Sequence, residues 1–128
     1  MKVLILAAGM GTRISKFTDG IPKCLINING ETILQRQIRL IKNVGILEED
    51  IIIVTGYKAN SIKKLIGDNV SYIHNTKYAT TNSLYSMWLA RNKDFSKGML
   101  LFNADILFHK EILFKLINKE GNAVAVDF

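Results

Sequence analysis

Five short runs along this chain are apolar almost from end to end: residues 3–8, 51–54, 70–73, 99–102 and 123–126. A strand with one wet face alternates apolar and polar side chains. An unbroken apolar run therefore points to a strand buried on both faces, as in a parallel sheet with helices on either side. Segments of helical period lie between the runs. Residues 32–44 carry Leu34, Ile38, Ile41 and Val44 near one face, and Gly45 is placed to close that helix. Asn60 or Ser61 is placed to cap a short helix with Ile62, Leu65 and Ile66 inward and Gly67 after it. Residues 83–92 offer Leu84, Met87, Trp88 and Arg91 at helical spacing; residues 110–120 offer Ile112, Leu113, Leu116 and Ile117, with Gly121 following. Strands alternating with helices imply right-handed crossovers and an open, doubly wound, mainly parallel α/β sheet in three layers.

The chain length, 128 residues, fits one domain over 1–128. An apolar content of 48% supplies an ordinary core, and a core of this size folds without disulfides or structural metal. Cys24 is the single cysteine, so no intrachain disulfide forms, in keeping with a reducing, cytoplasmic setting. Lys2 and the apolar residues after it faintly resemble a signal peptide. The run is shorter than the usual apolar stretch of about 7–15 residues, and Gly9, Gly11 and Arg13 break it. No stretch approaches the ~20 apolar residues of a membrane span. The net charge of +6 favours polyanionic partners, whether nucleotides, nucleic acid or an anionic membrane, although charge alone reads first as a solvated basic surface. The lysines are scattered, and the chain lacks the aromatic-and-basic strand motif of common RNA readers, so nucleic acid is not an expected partner.

In open sheets of this kind, ligands bind beyond the carboxyl ends of the strands, where strand order reverses. The segments there, 7–23, 55–58, 75–83 and 103–107, are also the richest in Gly, Asn, Arg, Lys and Asp. The first is the most informative. Gly9 and Gly11 let the backbone turn with several N–H groups pointing one way, a nest for anionic oxygens. Small Ala7 and Ala8 let a flat base approach the main chain. Arg13 offers a rigid donor fork, Lys23 a point charge, and Pro22 stiffens the approach to it. A glycine pair alone after a strand is an ordinary turn. Two other phosphate loops are disfavoured. A dinucleotide fingerprint needs Gly or Ala where Ile14 stands, and a Walker A loop needs a Gly-Lys-Ser/Thr run that is absent.

Taken as one run, Ala7-Ala8-Gly9-Met10-Gly11-Thr12-Arg13 with Pro22-Lys23 resembles the nucleotidyltransferase motif of the sugar-phosphate nucleotidyltransferases. Downstream, Val54-Thr55-Gly56-Tyr57 is similar to a family segment. Thr81-Asn82-Ser83-Leu84-Tyr85-Ser86 resembles the branch that contains choline-phosphate cytidylyltransferases. Phe102-Asn103-Ala104-Asp105 resembles the strand end whose Asp binds magnesium. The resemblance implies a Rossmann-like fold of the nucleotide-diphospho-sugar transferase type. It implies transfer of a nucleoside monophosphate from a triphosphate, CTP favoured, to phosphocholine or a sugar phosphate, with release of pyrophosphate. It further implies that Gly9, Gly11 and Thr12 hold the triphosphate and that Arg13 pairs with its outer phosphates. Lys23 would face the α-phosphate, Ala7, Ala8 and Asn82 would contact the base, and Asp105 would ligate Mg2+.

For several residues the sequence leaves two roles open. Asp105 and Asn82 are both plausible helix caps. Tyr85 and Trp88 are spaced to stack on a base or a quaternary ammonium, with core packing the expected role of Trp88. Cys24 reads as a packed residue, and His74 and His109 carry no assigned chemistry. Family members usually continue well beyond this length, and their later half supplies acceptor-binding residues and a second metal-binding Asp. Asp127 is not matched to that ligand. A truncated chain, a compact member and a noncatalytic nucleotide-binding remnant remain open, as does homo-oligomerisation.

Overall fold

A computed structural model describes residues 1–12 and 15–126. Strands β1 (Lys2–Ala7), β4 (Ile51–Thr55), β5 (Ser71–His74) and β6 (Met99–Asn103) form a parallel sheet in the order β5-β4-β1-β6. Val3 pairs with Ile51 on one side and with Leu100 on the other. Strand β1 is therefore central. The chain first extends the sheet through β4 and β5, then returns to the opposite side of β1 with β6. That reversal leaves a crevice between the carboxyl ends of β1 and β6.

Helix α2 (Ile33–Asn43) packs Leu34, Ile38 and Ile41 against Val3, Ile5, Ile53 and Phe102 on one face of the sheet. Helices α3 (Ala59–Ile66) and α5 (Lys110–Ile117) contribute Ile62 and Leu113 to the same core. Helix α4 (Ser83–Leu89) lies on the opposite face, where Ala90 and Met87 meet Leu4, Ile52 and Val54. The three expected layers are present. Capping is local chemistry. Thr32 and Gln35 form a reciprocal capping box at α2, and Gly45, at φ +93°, closes that helix by donating to the Lys42 carbonyl.

Several details depart from the expectations. Residues 123–126 form no strand; Val124 and Val126 are exposed. An apolar run becomes a strand only with a ladder partner, and the sheet offers this one none among the described residues. Strand β6 is covered on one face only: Leu100 and Phe102 enter the core, while Met99 and Leu101 stay 40% and 45% exposed. Helix α3 begins after Lys58, in a left-handed conformation without a side-chain cap, rather than at Asn60 or Ser61, and Leu65 faces outward. Helix α4 stops at Leu89. The expected core residue Trp88 is half exposed; it stacks with Tyr85 at 5.6 Å and lies under the Arg91 guanidinium at 3.5 Å. Its ring is thus already engaged from within its own helix and the turn after it.

Among the described residues, a turn of helix α1 (Ser15–Thr18), a 3-10 turn at Lys23–Leu25 and a hairpin of β2 (Asn27–Ile28) with β3 (Glu31–Thr32) lie between Gly11 and α2. The hairpin's two-residue loop, Asn29-Gly30, has both φ values positive, the geometry that Asn-Gly favours in tight hairpins. No helix among the described residues is long and apolar enough to cross a membrane.

Candidate functional site

The crevice at the reversal point opens into a cavity of about 430 Å³, within the size range of small-molecule sites. Three stretches of chain build it. The first continues from β1: Ala7 and Ala8 are buried, and Gly9 and Gly11 line the opening. Gly11 has φ +61°, a conformation that costs an L side chain energy. A Cβ there would also sit 3.4 Å from Lys23 Cγ. At Gly9 a Cβ would meet nothing within 4 Å among the described residues. Thr12 is exposed at the edge of this loop. Arg13 lies outside the described residues.

The second stretch begins at Pro22, which is buried and extended, and turns through Lys23–Leu25. The turn carries the Lys23 side chain across Gly11. Lys23 Nζ ends 3.7 Å from Asp105 Oδ2, just past the end of β6, and both side chains are more than one third exposed. The two sides of the crevice are thus joined by opposite charges at its mouth. Asp105 does not cap the following helix, since His109 occupies that position. Cys24, next to Lys23, is 3% exposed. Its thiol is pushed up to about 12 by burial, with the nearby Asp105 charge acting in the same direction. It stays a neutral packed group, as expected, and not a nucleophile.

The third stretch follows β5. Asn75, 1% exposed, organises it. Its Oδ1 accepts from the Lys77 N–H at 2.9 Å, which fixes the amide orientation; its Nδ2 then donates to Thr81 Oγ1 at 3.0 Å and Ser86 Oγ at 3.1 Å. Thr81 Oγ1 in turn donates a hydrogen bond to the Lys77 carbonyl at 2.7 Å. Loop and helix start are thereby tied into one unit along the cavity wall. Asn82 caps α4 by accepting from the Tyr85 N–H at 3.2 Å, and it also lines the cavity. Capping and an exposed binding position are compatible for this residue. The loop is held against β1 and β4 at Gly56, where Tyr78 and the Ala8 carbonyl approach so closely that only glycine fits.

The structure therefore brings Ala7, Ala8, Gly9, Gly11, Lys23, Asn82 and Asp105 to one cavity. Sequence reading did not single out Asn75, Thr81 or Ser86 individually. Asn75 is the first residue beyond β5, on the predicted rim, which is the one local signal it carries.

The parallel sheet with flanking helices agrees with the comparisons with known proteins. The model of the MobA-like NTP transferase domain matches residues 3–127, and the chain belongs to that family. It is 38% identical over 96 residues to the choline-phosphate cytidylyltransferase of Streptococcus pneumoniae, covering 73% of this chain and 40% of that protein. It is 33% identical to the CTP:phosphoglutamine cytidylyltransferase of Campylobacter jejuni, covering 99% of this chain and 53% of that protein. The solved CTP:phosphocholine cytidylyltransferase of S. pneumoniae superposes with a TM-score of 0.66 at 35% identity, over 81% of this chain and 44% of that one. The inositol-1-phosphate CTP transferase of T. maritima shares the fold, with a TM-score of 0.75 at 22% identity, over 94% of this chain and 49% of that one. The chain spans about half the length of these two cytidylyltransferase relatives.

Proposed function

We propose that this chain builds the nucleotide half of a cytidylyltransferase site, which transfers CMP from CTP to a phosphorylated small molecule and releases pyrophosphate. The observation that carries the reading is the Lys23–Asp105 pair, 3.7 Å apart across the mouth of the crevice and facing the Gly9–Gly11 loop. Family membership and the printed activities of the relatives support it.

In this reading the acceptor's phosphate oxygen attacks the α-phosphorus of CTP. The bond from that phosphorus to the bridging oxygen of the β-phosphate breaks, and its electron pair leaves with pyrophosphate. Ala7, Ala8 and Asn82 receive the base. The N–H groups of Gly9, Gly11 and Thr12 receive the triphosphate, and Arg13 serves its outer phosphates. Lys23 stands where charge builds between the attacking oxygen and the α-phosphate; such a positioned donor is worth on the order of 3–4 kcal/mol. Phosphocholine is the first acceptor to test, and a sugar phosphate the second.

The donor set fits Mg2+. Among the described residues no three His, Cys, Asp or Glu side chains converge, so none of them forms a protein cage. Mg2+ commonly binds through one or two carboxylates while keeping waters and substrate phosphates, and Asp105 presents one carboxylate beside the phosphate loop. When bound there, Mg2+ would neutralise phosphate charge in the transition state. The polypeptide's own share is positioning and fixed positive charge.

Thermal unfolding with each nucleoside triphosphate, with and without Mg2+, tests the base of this reading. CTP at ten times its Kd should stabilise the fold by about 1.4 kcal/mol. Absence of a shift with every triphosphate at millimolar concentration would overturn it. Pyrophosphate release with CTP and phosphocholine, measured on this chain and on any longer version of it, then tests the chemistry: turnover in the longer version alone would mark this chain as a half-site, and CTP binding without turnover in either would mark a noncatalytic module.

A further inference from the structure

Gln37 is a polar residue on the buried face of α2, 1% exposed among Leu34, Ile38 and Ile41. Its Nε2 donates to two backbone carbonyls, Asn103 at 3.0 Å and Ile106 at 2.8 Å. Those carbonyls bracket Ala104 and Asp105. Two acceptors require the NH2 end of the amide, so Oε1 must point the other way. Among the described residues it is the one buried side-chain acceptor without a partner. An unsatisfied buried carbonyl opposes folding, and an apolar side chain of the same length would avoid it. The amide's favourable contribution is thus the clamp on the turn.

We infer that Gln37 is a positioning residue that sets the 103–106 turn so that the Asp105 carboxylate faces the crevice. Other contacts hold the turn as well. Ala104 donates to the Leu6 carbonyl at 3.0 Å, which ties it to β1. The turn's own bond, from the Ile106 N–H to the Asn103 carbonyl, is long at 3.4 Å. Arg36, next to Gln37, reaches the Phe108 carbonyl at 3.3 Å. Helix α2 therefore holds the segment from β6 to α5 by two side chains, and Gln37 holds the part that carries Asp105. The functional half of this inference rests on the reading of Asp105 given above.

Two variants separate the roles. Gln37→Met keeps length and volume without the donors. Gln37→Asn keeps the amide but is one methylene too short to span both carbonyls. Backbone hydrogen exchange without ligand reads the clamp directly. Both variants should speed exchange at Ile106 and Ala104 by about tenfold or more, with Leu4 and Ile53 in the sheet centre unchanged. If Met fails to fold, the Asn variant carries the measurement. Should neither fold, the Gln37 side-chain amide protons of the parent must be protected for the clamp to stand. CTP binding at varied Mg2+ reads the function: half-saturation should need roughly tenfold more Mg2+ in the variants, while metal-free CTP affinity stays within about twofold. Unchanged exchange at Ile106 and Ala104 would overturn the clamp. Faster exchange with an unchanged Mg2+ requirement would overturn the link to Asp105. A parent that binds no CTP with Mg2+ would sink the functional reading and its link to Gln37, leaving the clamp to be decided by exchange alone.

Discussion

Gly56→Ala tests how closely the fold and the cavity depend on one contact. A Cβ at this position would lie 2.5 Å from Tyr78 Cβ, 2.9 Å from Tyr78 Cγ and 2.9 Å from the Ala8 carbonyl oxygen. Carbon atoms in ordinary contact sit about 3.5–4.0 Å apart, so the new methyl overlaps Tyr78 by about 1 Å. Tyr78 Cβ is fixed to the backbone, and no rotamer change moves it away. Either the segment after β5 shifts, or the Tyr57 N–H to Ala8 carbonyl bond at 3.2 Å stretches. Gly56 is outside the left-handed region, so the whole effect comes from the contact. Overpacking of this kind costs typically about 1–3 kcal/mol. Urea unfolding should show that loss, and CTP affinity should fall as well, because Tyr78 and Ala8 both line the cavity. Gly9→Ala is the matched comparison. Its Cβ meets no atom of the described residues within 4 Å, so stability should stay within about 0.5 kcal/mol while CTP affinity falls. Parental stability and parental CTP affinity in Gly56→Ala would refute the argument.

Lys23→Ala should depress turnover by roughly 10²–10³-fold and CTP affinity far less, whereas Arg13→Ala should show its loss mainly in affinity; steady-state kinetics on active protein separate the two. Asp105→Asn should weaken the Mg2+-dependent binding of CTP yet cost at most about 1 kcal/mol in unfolding, because its partnership with Lys23 is solvent-exposed; an unchanged Mg2+ dependence would remove Asp105 from the metal role. Cys24 should resist alkylation at about pH 8 in the native protein, because its buried thiol remains protonated. The raised value means that its contribution to stability is complete below the ordinary 9.0 and is lost as pH rises toward about 12. The stability difference between parent and Cys24→Ala should shrink by up to about 1.4 kcal/mol per pH unit in that window, and a constant difference would contradict the burial argument.

Much of this protein is written in local pattern. Continuous apolar runs made β1, β4, β5 and β6 legible, and helical spacing made α2 to α5 legible, because both periods follow from backbone geometry within a few residues. The rim holding Gly9, Gly11, Lys23 and Asp105 was legible for the same reason, since strand ends in a parallel sheet face one way. The β2–β3 hairpin was also within reach through Asn29-Gly30, a turn signal that local reading passed over. Pairing is a different kind of information. Nothing within residues 123–126 says that no strand will lie beside them, and nothing within Leu84–Trp88 says how far α4 covers the sheet. Trp88 has helical spacing and an apolar ring, yet packing leaves it half exposed. The crevice exists only because β6 returns to the far side of β1, which sets Lys23 and Asp105 3.7 Å apart although 82 positions separate them. Gln37 shows the same limit from inside the core. Its sequence neighbours predict a buried face, while the reason for an amide there is two carbonyls more than 60 residues away. Side-chain periodicity is decided by the nearest turns of the chain, but a hydrogen bond or ion pair between distant segments is decided only when packing brings them within about 3–4 Å.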